Sequence, residues 1–516
     1  MPASSASDAA AAREARFAAW LSAGGARGAW AIGASPHGGR GAFAARALRE
    51  GEVAVEVPDA LVLTADSSLV AAALDDEGVG GKDRRGDTLA LALALMVERV
   101  AGKDSLWAPY LGVLPASMAH MVHEWPAADL CALRGTSTLA LLRGAVPARA
   151  DGQYPSRVRR AFEEVVVPFA QARGRELGLP ALDEGGGPAE VRRRLYEAFS
   201  WAAGVVASYA FTLGDGKHEA LVPVFDLLNH VTGAVNVRLN HDDSHGVLQM
   251  LATRDIAAGE ELINCFGELS NGELLRRYGF VEAEAGCAAG ARRPPELALL
   301  AESAVTRAAV GNAWYLSKAG LEMTDEGSTR QYQARLKLVR TRGLRKKWYA
   351  ISRDRQTGAL RVEPALASRL YVMLCSAAEF ERIDKGAEGG RGARSERETW
   401  EAVSAAVMGA CRDALRALSR ANARAVAPAA DTASRARQAA AAVVITDERR
   451  CLRKMVAACA SGEAALAMRK AGWRAGKRRR SVTFRRWAVM RHKSGGARLV
   501  HRVGLSTRLT NQRAKG

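Results

Sequence analysis

Between Ala34 and Leu63 the chain reads ASPHGGRGAFAARALREGEVAVEVPDALVL, a glycine-rich turn followed by short apolar runs that Arg49–Gly51 and Pro58 interrupt. Short runs bounded by turn residues predict a small antiparallel β unit. The stretch DDEGVGGKDRRGD (75–87) is too polar and glycine-rich to pack and predicts a loop. It is followed by TLALALALMVERV (88–100), apolar on nearly every side, as a buried helix would be. Residues 105–203 predict helix for most of their length, with an extended SLWAPYLGVLP at 105–115 and a break at GLPALDEGGGPAE (178–190). Strand patterns return at ALVPVF (220–225), NVRL (236–239), GVLQMLA (246–252) and ELINCF (261–266). A helical block is therefore expected to interrupt two β portions of one domain. GCAAGARRPPE (286–296) reads as a linker, and 297–460 carries helical periodicity broken by KGAEGGRGARSERE (385–398). No internal repeat is visible.

At 516 residues and 48% hydrophobic content, two to four folded domains are expected. The net charge of +19 suggests a nucleic-acid partner until it is located: sixteen Lys or Arg and no acid lie beyond Met468, which leaves the body only +3. That basic tail, with GKRRRSVTFRRW at 476–487, reads as a disordered extension, a nuclear-import signal or a phosphate-binding arm. Nothing else points to nucleic acid. The seven cysteines are dispersed, with no C-x-x-C pair, so neither a disulfide framework nor a zinc site is expected. No apolar run approaches the roughly 18–20 residues that cross a bilayer, and the start of the chain lacks a secretory pattern. The expected compartment is cytoplasm or nucleus, with a plastid address only weakly supported, and the expected state is a monomer.

Three segments carry chemistry: GGRGAFA (38–44), VPVFDLLNH (222–230), and ELINCFGELSNGELLRRYGF (261–280). With SLWAPYLGVLP, and in this order, they resemble the SET-domain protein-lysine methyltransferases, in the branch of the Rubisco large-subunit and ribosomal-protein lysine methyltransferases. D-x-x-N-H followed some forty residues later by S-N-x-E-L-L-x-x-Y-G-F is the specific part. The resemblance implies an α+β fold: a SET domain over 27–285 with a knot-like active site and helices inserted at about 76–199, preceded by an extension at 1–26. An all-α substrate-binding domain (297–465) and the basic tail (469–516) would follow.

The resemblance further implies S-adenosylmethionine as cofactor and a protein substrate, ribosomal, nuclear or plastid. Gly39, Arg40 and Gly41 would let the backbone approach the cofactor, and Asn229 and His230 would contact it. Tyr209 stands where Rubisco-type members have an arginine, and Val231 leans toward the ribosomal-lysine subgroup. Asp226 matches an acidic position near the substrate lysine, although a structural acceptor role remains open beside it. Tyr278 matches an active-site tyrosine. The segment YVMLCSAAEFERI (371–383) resembles the family's substrate-binding domain.

Position 266 departs from the pattern. In the family it resembles a tyrosine usually stands before the glycine, and this chain has Phe266 before Gly267. A lysine amine titrates near about 10.4, so the reaction needs an enclosed channel that disfavours the ammonium and aligns the nitrogen. Losing one positioned polar group costs on the order of 10²–10³ in rate. A catalytically weakened binding protein is therefore the rival expectation.

Overall fold

The computed structural model describes residues 3–79, 88–143, 157–179, 187–213, 218–282, 293–310, 326–385, 394–423 and 428–471. Two cores organise them. The first gathers Phe17 and Leu21 from helix Ala3–Ala23, the apolar positions of strand Val53–Pro58, all but the ends of helix Thr88–Ala101, and the inward face of helix Pro188–Tyr209. Helix Thr88–Ala101 is enclosed on every side, as its composition requires. Its one buried acid, Glu98, is satisfied by Leu69 N at 2.7 Å and Ser105 Oγ at 2.6 Å. The start of the chain is therefore part of this core, because Phe17 is wholly buried and stacks on Tyr110.

Around this core lies a four-stranded antiparallel sheet in the order Arg27–Gly28, Val53–Pro58, Val247–Ala252, Val237–Asp242. Val57 faces Leu248, and Leu239 faces Met250, and strand Val247–Ala252 turns alternate residues inward. Strands Trp30–Ala34 and Arg40–Ala44 form a hairpin beside it. Asn229–His230 and Ile263–Asn264 pair in parallel, with Asn229 opposite Ile263 and His230 opposite Asn264. A bridge from Phe43 to Glu261 joins hairpin to parallel pair. Strands more than 180 residues apart thus meet, with the helical insertion between them.

The second core is built on helices Pro364–Leu374, Arg394–Asn422 and Thr432–Ala460. It is not all-helical. Glu296–Ala301, Trp348–Arg353 and Leu360–Val362 form a three-stranded antiparallel sheet. A six-residue apolar run such as ELALLA has no periodicity that separates strand from helix, which is why helix was expected there. The expected linker at 286–296 ends inside this sheet: Glu296 is buried, 3.4 Å from both Arg353 and Arg450. The expected loops at 75–87 and 385–398 lie largely outside the described residues, and so does the basic tail beyond Ala471. Helix Thr432–Ala460 belongs to the second core and also contributes Ala441 and Val444 to a smaller apolar cluster with Trp125, Leu133, Leu139 and Leu275.

Candidate active site

The turn before strand Arg40–Ala44 closes through Ser35 N to Gly39 O (3.1 Å) and Gly38 N to Ser35 O (3.2 Å). Gly38 and Gly39 have φ of +119° and +66°, and a Cβ on either would meet open space. Their backbone conformation, not crowding, demands glycine. Gly41 is different. A Cβ there would stand 2.3 Å from Glu261 Oε1 and 3.1 Å from Asn229 Nδ2.

Glu261 is the hub of this region. Its Oε2 accepts from Ser35 Oγ at 2.9 Å, and its Oε1 accepts from Asn229 Nδ2 at 2.7 Å. The same Nδ2 donates to Arg40 O at 3.0 Å. One carboxylate therefore fixes the glycine turn and the Asn-His strand relative to each other. Glu261 opens the motif stretch 261–280, yet the sequence alone assigns it no role. The available signal was strand alternation, which turns Glu261 inward while its neighbour Glu260 pairs with Arg254.

Arg40 reaches back to the helical elements, 2.9 Å from Glu14 and donating to Val113 O. It also lies close enough to Asp226 and Tyr209 to favour their ionised forms. Asp226 accepts from the buried Tyr110 hydroxyl at 2.9 Å. Burial pushes the Asp226 carboxyl up to about 6 against the Tyr110 bond and the Arg40 charge, which pull it down. Burial and then Asp226 push Tyr209 up to about 12. Two residues before Asp226, Val224 has φ of +74°, an outlier for a β-branched residue. Strain of that kind, on the order of 1–3 kcal/mol, persists only where the surroundings over-determine the backbone, and it clusters at functional sites.

The second half of the site is aromatic. The His230 and Phe266 rings stack at 5.2 Å and 18°, and Phe266 meets Tyr278 at 4.7 Å. Phe280 continues the series, 6.3 Å from Tyr278. His230 Nδ1 accepts from Phe266 N at 3.2 Å, which leaves the proton on Nε2, 3.4 Å from Thr232 Oγ1. Burial pushes this imidazole down to about 4, so it is neutral near pH 7. Among the described residues the Tyr278 hydroxyl has no protein hydrogen-bond partner. It stands at the end of helix Asn271–Tyr278, which Ser270 caps by accepting from Glu273 N and Gly279 terminates at φ +78°.

Eight of the nine sequence-derived candidates thus fall in two adjoining groups, joined by the Asn229–His230 strand. Gly41, Arg40, Asn229, Asp226 and Tyr209 form one, with Gly39 on its exposed rim, while His230, Phe266 and Tyr278 form the other. Asp226 bonds Tyr110 rather than a member of the aromatic group. Tyr110, Glu14 and Glu261 are the additions that sequence reading missed.

The SET domain family matches residues 39–267. Human N-lysine methyltransferase SETD6 is 28% identical over 255 residues, 47% of this chain and 48% of that protein. Ribosomal lysine N-methyltransferase 4 of Saccharomyces cerevisiae is 24% identical over 271 residues, 47% of this chain and 49% of that one. The chain spans about half the length of the curated relatives it matches. Among solved structures, the SET domain of LSMT bound to lysine and AdoHcy superposes with a TM-score of 0.55 at 17% identity, covering 89% of this chain and 93% of that one. Rubisco LSMT bound to AdoMet gives the same TM-score and identity, covering 88% and 92%. The chain therefore carries a SET domain, on a fold shared with the Rubisco LSMT structures along most of its length.

Proposed function

We propose that this chain transfers the methyl group of S-adenosylmethionine to the side-chain amine of lysine in a protein substrate. One observation carries the reading: the glycine turn, Asn229 and the His230–Phe266–Tyr278 wall of a SET domain are fixed to one another by Glu261 and by ring contacts. The residues fit the cofactor. Gly38 and Gly39 leave open space beside their backbone, and Gly41 brings the strand against Asn229 without a side chain between.

S-adenosylmethionine supplies an electrophilic methyl when bound; what remains is for the protein to hold it and to present a neutral, aligned amine. The 38–41 backbone, Asn229 and His230 would hold the cofactor, with His230 as a neutral ring at physiological pH. Phe266 would wall the channel and exclude water. The Tyr278 hydroxyl, free of other protein partners among the described residues, would orient the amine. Asp226 is ionised above about pH 6 and would face the incoming cation. We place the SET domain at 27–285 with its insertion at 76–199, and a substrate-holding domain at 297–465. The names of the relatives point toward lysine in ribosomal or other proteins as substrate, reached in cytoplasm or nucleus by a monomer.

A second reading, a SET-like protein that binds partners with little turnover, is favoured by Phe266, which lacks the hydroxyl of the tyrosine that the family resemblance leads one to expect there. Calorimetry with S-adenosylmethionine, followed by turnover of the wild type and Phe266→Tyr, separates the two. Binding and a turnover that rises in the tyrosine variant support the enzyme. Cofactor binding with no turnover in either form supports the second reading, and absence of binding at millimolar cofactor contradicts both the cofactor assignment and the proposal.

A further inference from the structure

Asn271 opens the helix that ends at Tyr278, and it is 1% exposed. Its amide makes three hydrogen bonds. Oδ1 accepts from Glu282 N at 2.8 Å, while Nδ2 donates to Glu282 O at 3.1 Å and to Asp447 Oδ2 at 2.8 Å. The first two close the segment 271–282, which contains Tyr278 and Phe280, onto itself. The third leaves that segment for helix Thr432–Ala460, part of the second core. Asp447 is itself fixed, 3.5 Å from Arg355 Nη1 and 3.8 Å from Arg450 Nη1.

Glu282 carries the linkage to the opposite side of the site. Its Oε1 accepts from Thr232 N at 2.8 Å and lies 3.9 Å from His230 Nε2. The two flanks of the aromatic wall, His230 and Tyr278, are therefore referred to one buried amide, and that amide's charged partner belongs to the helical block. A charge-assisted bond of this kind is among the stronger ones, and leaving a buried amide unpaired costs more than the bond's net worth.

We propose that Asp447 is a positioning residue of the active site, acting through Asn271 to hold the Tyr278 helix against His230. The helical block then completes the wall of the site in addition to offering a surface for substrate. This rests on the methyl-transfer reading only for its effect on rate. Another fastening of helix Thr432–Ala460 provides a control because it makes no hydrogen bond to segment 271–282. Asp129 Oδ2 accepts from Arg437 at 2.9 Å and Oδ1 from Ser434 at 2.5 Å.

The test uses the full chain as wild type, Asp447→Ala, Asp447→Asn and Asp129→Ala, with hydrogen exchange across 271–282, initial rates and cofactor calorimetry. Asp447→Ala should speed exchange across 271–282 and lower kcat, each on the order of tenfold, with cofactor affinity within about twofold because the glycine turn is untouched. Asp447→Asn retains an acceptor for Asn271 and should recover most of both. Asp129→Ala should leave the exchange of 271–282 and kcat as in the wild type. Wild-type exchange and kcat in Asp447→Ala, or an equal fall in Asp129→Ala, would overturn the proposal. Should the wild type show no turnover, the methyl-transfer reading is what fails, and exchange across 271–282 still decides whether Asp447 governs the Tyr278 helix.

Discussion

Alanine at Gly41 would put a methyl group against Glu261 Oε1, where the hub carboxylate cannot withdraw without releasing Ser35 or Asn229. Overpacking of this order costs about 1–3 kcal/mol, so Gly41→Ala should weaken S-adenosylmethionine binding on the order of ten- to a hundredfold in calorimetry. Glu261→Gln should do less, since an amide keeps one acceptor; equal losses would show that charge rather than geometry matters at this hub. Phe266→Tyr belongs to the same scale. Its ring already lies between His230 and Tyr278, so a tyrosine ring can take the same place, and a gain of up to about 10²-fold in kcat is expected. Unchanged or lower turnover would mean that the site is organised around phenylalanine. The motif residues were legible because their chemistry fixes their type. Glu261 was not, because its function lies in contacts with Ser35, 226 positions away, and Asn229, which no local pattern encodes.

Among the elements, helix Thr432–Ala460 ties the second core to a smaller cluster that includes Leu275 of the Tyr278 helix. Its Glu448 accepts from Ser137 N and Oγ at the start of helix Ser137–Arg143, yet burial outweighs those bonds and pushes the carboxyl up to about 7, with Asp447 adding to the rise. A folded-state value above the unfolded one means the native protein binds the extra proton between about pH 4.5 and 7. This group's contribution is therefore complete below the unfolded value and is lost as pH rises through 7. Glu448→Gln should be more heat-stable than wild type at pH 8, by roughly 2–4 °C per kcal/mol of penalty removed. The gap should close toward pH 5 in thermal melts, and a gap that widens on acidification would contradict the assignment. Helix Thr88–Ala101 was readable from composition alone, whereas sheet strand Glu296–Ala301 was not, since burial on both faces erases the alternation that marks a strand.

For the whole molecule, charge and catalysis are separable along the chain. Most of the +19 lies beyond Met468, while the candidate site is built between Glu14 and Glu282 with Asp447 behind it. Removing residues 472–516 should lower the salt concentration that elutes the protein from heparin and leave S-adenosylmethionine affinity unchanged. Altered affinity would tie the tail to the site. Transfer to lysine is decided by incubating the full chain with methyl-labelled S-adenosylmethionine and a ribosome-containing extract, then identifying the labelled residue by mass spectrometry after digestion. Wild-type protein should place label on a lysine side chain, with a large loss in Tyr278→Phe. No lysine-borne label, or label undiminished in both Tyr278→Phe and Gly41→Ala, would contradict it.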